Sequence, residues 1–188
     1  MTRQNGPFFD ENYLRQGSPT NSTFAETIPR FLAGGNGAIA ATGVVLSAGI
    51  PLQTGDVARN ITFITATTAA GTPTAGFAAL YSPAGALLAQ TADFGSTARA
   101  ANTAFTVALA TAQLITVAGL YYVSISFTAG TVPTLRGLDL GNAAAAGAIG
   151  LSCPVLVQSH GSAVGATAPA TIATPTTTAV IPYLAVTS

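Results

Sequence analysis

The chain has 188 residues, the length of one ordinary domain, with 49% hydrophobic but only 6% charged residues, where a typical soluble chain carries about 25%. Six arginines balance six acids, with no lysine at all, which excludes a nucleic-acid interface built on clustered basic side chains. A net charge of zero removes the self-repulsion that keeps copies apart, so threonine, serine and neighbouring subunits are expected to cover the surface.

Half of the charged residues lie in the first thirty positions: Arg3, Asp10, Glu11, Arg15, Glu26 and Arg30. This region also holds Pro7, Pro19 and Pro29 and shows no sustained periodicity. Residues 1–42 therefore read as an extended N-terminal arm, and 43–188 as the folded domain. The opening "MTRQNGPFFDENYLRQ" has no apolar core of a secretory signal. The uncharged run "AGGNGAIAATGVVLSAGIPL" (33–52) has the length of a membrane span. Its five glycines and one proline argue against one, and no membrane partner is expected.

From Gly43 the pattern turns to alternation, with turn residues about every ten positions. "ARNITFITAT" sets Ile61, Phe63 and Thr65 against Thr62, Ile64 and Ala66. "GFAALYSPAGALLAQ" (76–90) reads as a hairpin folded on Ser82-Pro83-Ala84-Gly85, and it carries no charge. "NTAFTVALAT" is rich in alanine, but Phe105, Val107 and Leu109 recur with period two, so a strand is predicted from about 103 to 110. In "GLYYVSISFTAG" Tyr121, Val123, Ile125 and Phe127 share one face and Tyr122, Ser124, Ser126 and Thr128 the other. That is the pattern of a half-buried antiparallel strand. "LGNAAAAGAIG" (140–150) is either a short helix or a loop of small residues. In the closing "TTTAVIPYLAVTS" Pro182 cannot donate to a ladder, so this is an edge strand or one that starts late. Eight to ten short strands at this spacing predict an all-β fold, an antiparallel β-sandwich of jelly-roll-like form.

Residues able to do chemistry are few. His160 is the only histidine and Cys153 the only cysteine. Cys153 cannot form an internal disulfide and reads as a small buried hydrophobe. His160, in "LVQSHGSAVG", reads as a solvated histidine in a loop leaving a strand. Seven residues along an extended chain would separate the pair by about 23 Å. No G-x-S-x-G elbow singles out a serine. Asp56, Asp93 and Asp139 all stand in turn contexts ("TGD", "TADFG", "GLDLG"), where Asp bonds nearby backbone. Neither a zinc set, a calcium loop nor a phosphate loop is present. No catalytic residue, metal or cofactor is expected.

In the arm, Phe8, Phe9, Tyr13, Leu14 and Arg15, with Phe31 further along, are the candidates for binding a partner, because aromatic residues and arginine are favoured at protein interfaces. The alternative is that the arm folds back and caps its own sandwich.

The segments "IPLQTGDVARNITFITATTAAGTPTAGFAALYSPAGALLAQTAD" and "LYYVSISFTAGTVPTLRG", together with the closing "IPYLAV", resemble structural proteins of tailed bacteriophages infecting actinobacteria. The shared features are a strand ending near "TGD", an "N-I-x-F" strand, an "ALYSPxGxLLAQ" hairpin and a "G-x-YYV" strand followed by "VPTL". Members of that group are described as minor tail proteins or head decoration proteins. The resemblance implies a non-enzymatic virion protein, assembled in the host cytoplasm. A capsid decoration protein is the favoured expectation: a homotrimer binding the major capsid protein or other virion proteins. A minor tail protein or a module holding host-surface glycan is the alternative.

Overall fold

The computed structural model describes residues 24–38, 41–142 and 154–188. Among them are thirteen strands: β1 (Phe24–Glu26), β2 (Gly35–Ala38), β3 (Val45–Leu52), β4 (Val57–Ile64), β5 (Gly71–Tyr81), β6 (Leu87–Gln90), β7 (Ala104–Leu114), β8 (Gly119–Thr131), β9 (Thr134–Asp139), β10 (Val157–His160), β11 (Thr176–Thr177), β12 (Val180–Pro182) and β13 (Leu184–Thr187). The only helical element among the described residues is a 3-10 turn, Arg30–Leu32. The strands form three open antiparallel sheets, ordered β1-β13-β4-β7, β11-β10-β3-β8-β5-β6 and β12-β9-β2. The fold is an all-β sandwich, and its strands outnumber the eight to ten read from spacing.

The four- and six-stranded sheets face each other across the main core. Ala58, Ile61 and Phe63 of β4, Leu109 of β7 and Leu184 and Val186 of β13 meet Ile50, Leu52, Ala78, Leu80, Tyr121, Val123, Ile125 and Phe127 from the six-stranded sheet. Phe63 stands at the centre of an aromatic group, with ring centroids 5.7 Å from Phe94, 5.6 Å from Phe105 and 5.8 Å from Phe127. Rings at such spacing add to the area they bury. The small third sheet closes one end, bringing Leu135 to the main core and Ile181 and Leu138 to a second cluster with Leu46, Ala48 and Val157.

The hairpin at 76–90 forms as expected. Gly85, at φ +78, lets the chain reverse, and Ser82 accepts from the Gly85 N–H while its own N–H reaches the Ala86 carbonyl at 2.8 Å. Pro51 is tolerated in β3 because β10 pairs only with Val45–Ala48, so the proline lies beyond its neighbour's end. The closing segment does both things that Pro182 allows. It ends β12, an edge strand, and β13 starts afterwards as an interior strand between β1 and β4.

Three expectations change. Within 1–42, two segments join the sheets: β1 pairs with β13 and β2 with β9. Second, β8 is buried on both faces, not one, with Ser124 and Ser126 at 0% exposure. Third, the uncharged hairpin is shielded by its own chain. Residues 161–175, "GSAVGATAPATIATP", cross the outer face of the six-stranded sheet, and Val164, Ala168 and Ile172 pack on Phe77, Ala79, Tyr81 and Tyr122. The covering segment is held by Leu87 N–H to the Ala170 carbonyl at 2.9 Å and Ile172 N–H to the Gly85 carbonyl at 2.8 Å. Tyr81 Oη donates to the Pro169 carbonyl at 2.9 Å and Thr128 Oγ1 to that of Val164 at 2.7 Å. Alternation reports which residues share a face; it does not report whether a later segment covers that face.

Candidate functional site

Of the six arm residues singled out for partner binding, Phe8, Phe9, Tyr13, Leu14 and Arg15 lie outside the described residues. Phe31 lies within them, on the 3-10 turn, and its side chain is 76% exposed beside Leu32 at 43%. The turn is too short to hold itself by its own ladder, and its support comes from both flanks. On the β1 side, Glu26 is buried, and its Oε1 accepts from Arg30 Nε at 2.8 Å and from Tyr183 Oη at 2.7 Å. Its Oε2 accepts from the Arg30 backbone N–H at 3.3 Å. Burial, then the bond to Glu26 and its charge, push the Tyr183 hydroxyl well above the ordinary phenol range, so it stays a donor.

Thr27 continues the clamp. Its Oγ1 donates to the Pro182 carbonyl at 2.7 Å and accepts from Leu184 N–H at 3.0 Å. On the β2 side, Arg136 from β9 donates to the Gly34 carbonyl at 3.0 Å and to Asn102 Oδ1 at 2.7 Å. A buried carboxylate and an arginine fork thus fix the backbone around two apolar side chains that point to solvent. Single exposed hydrophobes are common on any surface. Phe31 differs from a scattered surface residue in that its backbone is held from both flanks before any partner is present. Leu32 and the Glu26–Tyr183 clamp escaped the sequence reading. The first carries no signal beyond its neighbour, and the second joins positions 157 apart in the chain.

The residues with catalytic chemistry are placed elsewhere. His160 is not a solvated loop residue: it closes β10 and is 4% exposed. Its Nε2 lies 2.8 Å from Ser47 Oγ, which in turn lies 2.5 Å from Ser124 Oγ. Register explains the group, since Ser47 of β3 is directly opposite Ser124 of β8 and Gln158 of β10, and His160 is two residues along the same face. Tyr81 packs edge-on against the imidazole at 5.7 Å. Nδ1 is buried and has no hydrogen-bond partner among the described residues. Burial holds the imidazole well below its ordinary value, down to about 4, so it is neutral at pH 7. A nucleophile–base pair needs a third group to orient the base and a path for substrate. Among the described residues no such group meets Nδ1, and the covering segment packs over the same face of the sheet. Cys153, the other half of the Cys/His alternative, lies outside the described residues.

The three aspartates serve backbone. Asp93 Oδ1 accepts from Gly76 and Gly95 N–H at 2.9 and 2.8 Å, Asp139 Oδ1 from Gly141 N–H at 2.8 Å, and Asp56 Oδ2 from Gln53 N–H at 2.7 Å. Among the described residues no group of three His, Cys, Asp or Glu side chains could hold a metal. The apolar run 33–52 supplies β2 and β3 on either side of residues 39 and 40, and among the described residues no helix is long and apolar enough to cross a membrane. Arg99 is a buried cation: its guanidinium carbon lies 4.9 Å from the centre of the Phe94 ring and 4.8 Å from that of Phe105. Its buried Nε has no hydrogen-bond partner among the described residues, so ring faces are its main support. Comparison of the chain with protein-family models, with curated proteins and with solved structures finds no match.

Proposed function

We propose that this chain is a non-enzymatic structural protein of a tailed-phage virion, most specifically a capsid decoration protein that binds the shell through its N-terminal region. The observation that supports this reading most is Phe31, three-quarters exposed beside Leu32 on a turn clamped by Glu26, Tyr183 and Arg136. In the sequence it follows Phe8, Phe9 and Tyr13. A near-absence of charge suits a protein that works in a dense array, where many copies with weak individual contacts gain avidity through symmetry. The aspartates tied to turns and the histidine sealed under its own chain support a role in shape and contact over catalysis. Tyr81, Tyr121, Tyr122 and Tyr183 are buried, which favours shell binding through Phe31 over a sugar platform that needs several exposed rings.

The test is retention on purified capsids. Deleting residues 1–23 leaves β1 and Glu26 in place, whereas a cut at residue 30 would remove the strand that pairs with β13. Both this deletion and Phe31→Ala are expected to release the protein from particles while leaving its strand signal in circular dichroism unchanged. Full retention of both folded variants would overturn the reading. Antibody labelling of heads would separate decoration from a tail position.

A further inference from the structure

The outer face of the six-stranded sheet holds one titratable base, and the segment that seals it leaves directly from that residue. Gly161, at φ +69, turns the chain back over the face immediately after His160. The imidazole is held at one nitrogen only, with Nε2 on Ser47 Oγ at 2.8 Å and Nδ1 buried without a partner among the described residues. The groups facing this region are Val45 and Ser47 from β3, Tyr122, Ser124 and Ser126 from β8, Phe77, Ala79 and Tyr81 from β5, Gln158 from β10, and Val164 and Ala168 from the cover. None is charged, and the titratable ones are Tyr81 and Tyr122, both kept protonated by burial. No described carboxylate stands there to balance a cation.

We propose that His160 is an acid-operated latch: a second proton on its ring releases segment 161–175 from the outer face and bares the β5–β6 hairpin. The proton comes from solvent and turns both ring nitrogens into donors. Nε2–H can donate to Ser47 Oγ, but Nδ1–H has no acceptor among the described residues, and an unpaired buried charge is among the most costly groups a fold can hold. Water must therefore enter, and the covering segment is the weakest wall. The inner face is gripped by the whole sandwich core. The cover is held by neutral hydrogen bonds, two of them to the Gln90 side chain, and by Val164, Ala168 and Ile172. It also carries Ala163 at φ +53 and Thr174 at φ +43, left-handed conformations that residues with a side chain adopt at a cost. Release lets both relax. Burial holds His160 to about 4, so the latch is shut at neutral pH.

Because His160 is the only histidine, its ring resonance identifies itself in a proton NMR titration of the full chain. Hydrogen exchange, corrected for the pH dependence of intrinsic rates, reports the cover in the same samples. The ring is expected to titrate below pH 5. Over the same interval the amides of Val164, Ala168, Ile172 and Leu87 should lose protection at least tenfold while those of β4 and β13 keep theirs. His160→Gln, which can bond Ser47 without titrating, should keep the cover protected throughout. The latch is overturned by a ring midpoint near 6.5, by a cover unchanged down to pH 3.5, or by simultaneous loss in β4 and β13. Equal acid sensitivity in His160→Gln also overturns it. Should that variant not fold, coincidence of the two wild-type midpoints decides the matter alone.

Discussion

Thr62 and Thr106 on the four-stranded sheet, and Ser47 and Ser124 on the six-stranded sheet, are the same kind of cross-strand hydroxyl pair in opposite surroundings. Each pair is directly opposite in register, with oxygens 2.8 Å apart in the first and 2.5 Å in the second. The threonine pair faces outward, with Thr106 exposed. The serine pair is fully buried, joined to His160, and roofed by 161–175. Alternating strands thus make two faces that look alike in sequence, one wet and one dry. What separates them is fifteen uncharged residues that arrive late in the chain.

The largest effect is expected where the dry face is anchored. Tyr81 is fully buried between β8 and the cover, and its hydroxyl holds the Pro169 carbonyl. Tyr81→Ala removes the ring and that bond, and large-to-small changes of an aromatic core residue cost about 3–5 kcal/mol. Urea unfolding should show this as a lower midpoint with little change in slope. A loss below about 1 kcal/mol would mean that the hairpin's outer face is not a core.

Acid should act on the dry face through His160. The folded-state value of His160 is lowered from 6.5 to about 4, so between these pH values the unfolded chain binds more protons. Stability is therefore fully present above about pH 6.5 and is lost as pH falls toward 4. At about 1.4 kcal/mol per pKa unit, the loss is on the order of 3 kcal/mol. It is read as the difference between wild type and His160→Gln in unfolding experiments at pH 7 and pH 4.

Gly161 sets the path of the cover, and its effect should be smaller. A Cβ there would lie 3.3 Å from Val164 Cγ1 while the backbone sits at φ +69. The left-handed penalty for a residue with a side chain is about 1–2 kcal/mol. Gly161→Ala should lower stability by that amount and raise exchange in 161–175 before any other region.

Much of this is legible in the sequence. The period-two runs gave the strands, Ser82–Gly85 the hairpin turn, Pro182 the break between β12 and β13, and Asp93 and Asp139 their backbone-bonding turns. The roof was not legible, because "GSAVGATAPATIATP" has no periodicity and almost no large side chain. Its hold comes from backbone carbonyls meeting Tyr81, Thr128 and the hairpin edge, contacts that leave no mark on composition. The burial of His160 is hidden for the same reason: four residues of strand followed by glycine resemble a loop until β3 and the cover close around them. In the candidate site Phe31 stood out as an aromatic among prolines and charges. The clamp beneath it joins β1 to Tyr183, between β12 and β13, and only the fold makes them neighbours.

The smallest expected effect is also the sharpest comparison. Ser124→Ala and Thr106→Ala each delete one hydroxyl from a directly opposed pair. For Ser124 the loss falls in a dry site, where a hydrogen bond is worth about 1 kcal/mol and a stranded partner costs more. Ser47 retains His160, which keeps the cost near the lower figure. For Thr106 the partner hydroxyl turns to water, and surface changes of this kind stay within about 0.5 kcal/mol. The two substitutions should therefore separate in unfolding experiments on the isolated chain. If the four-stranded sheet's outer face meets another subunit in an assembled particle, Thr106→Arg should fold normally yet weaken attachment. Ser124→Arg, by contrast, should fail before assembly is reached, because its charge has no route out of the roofed face.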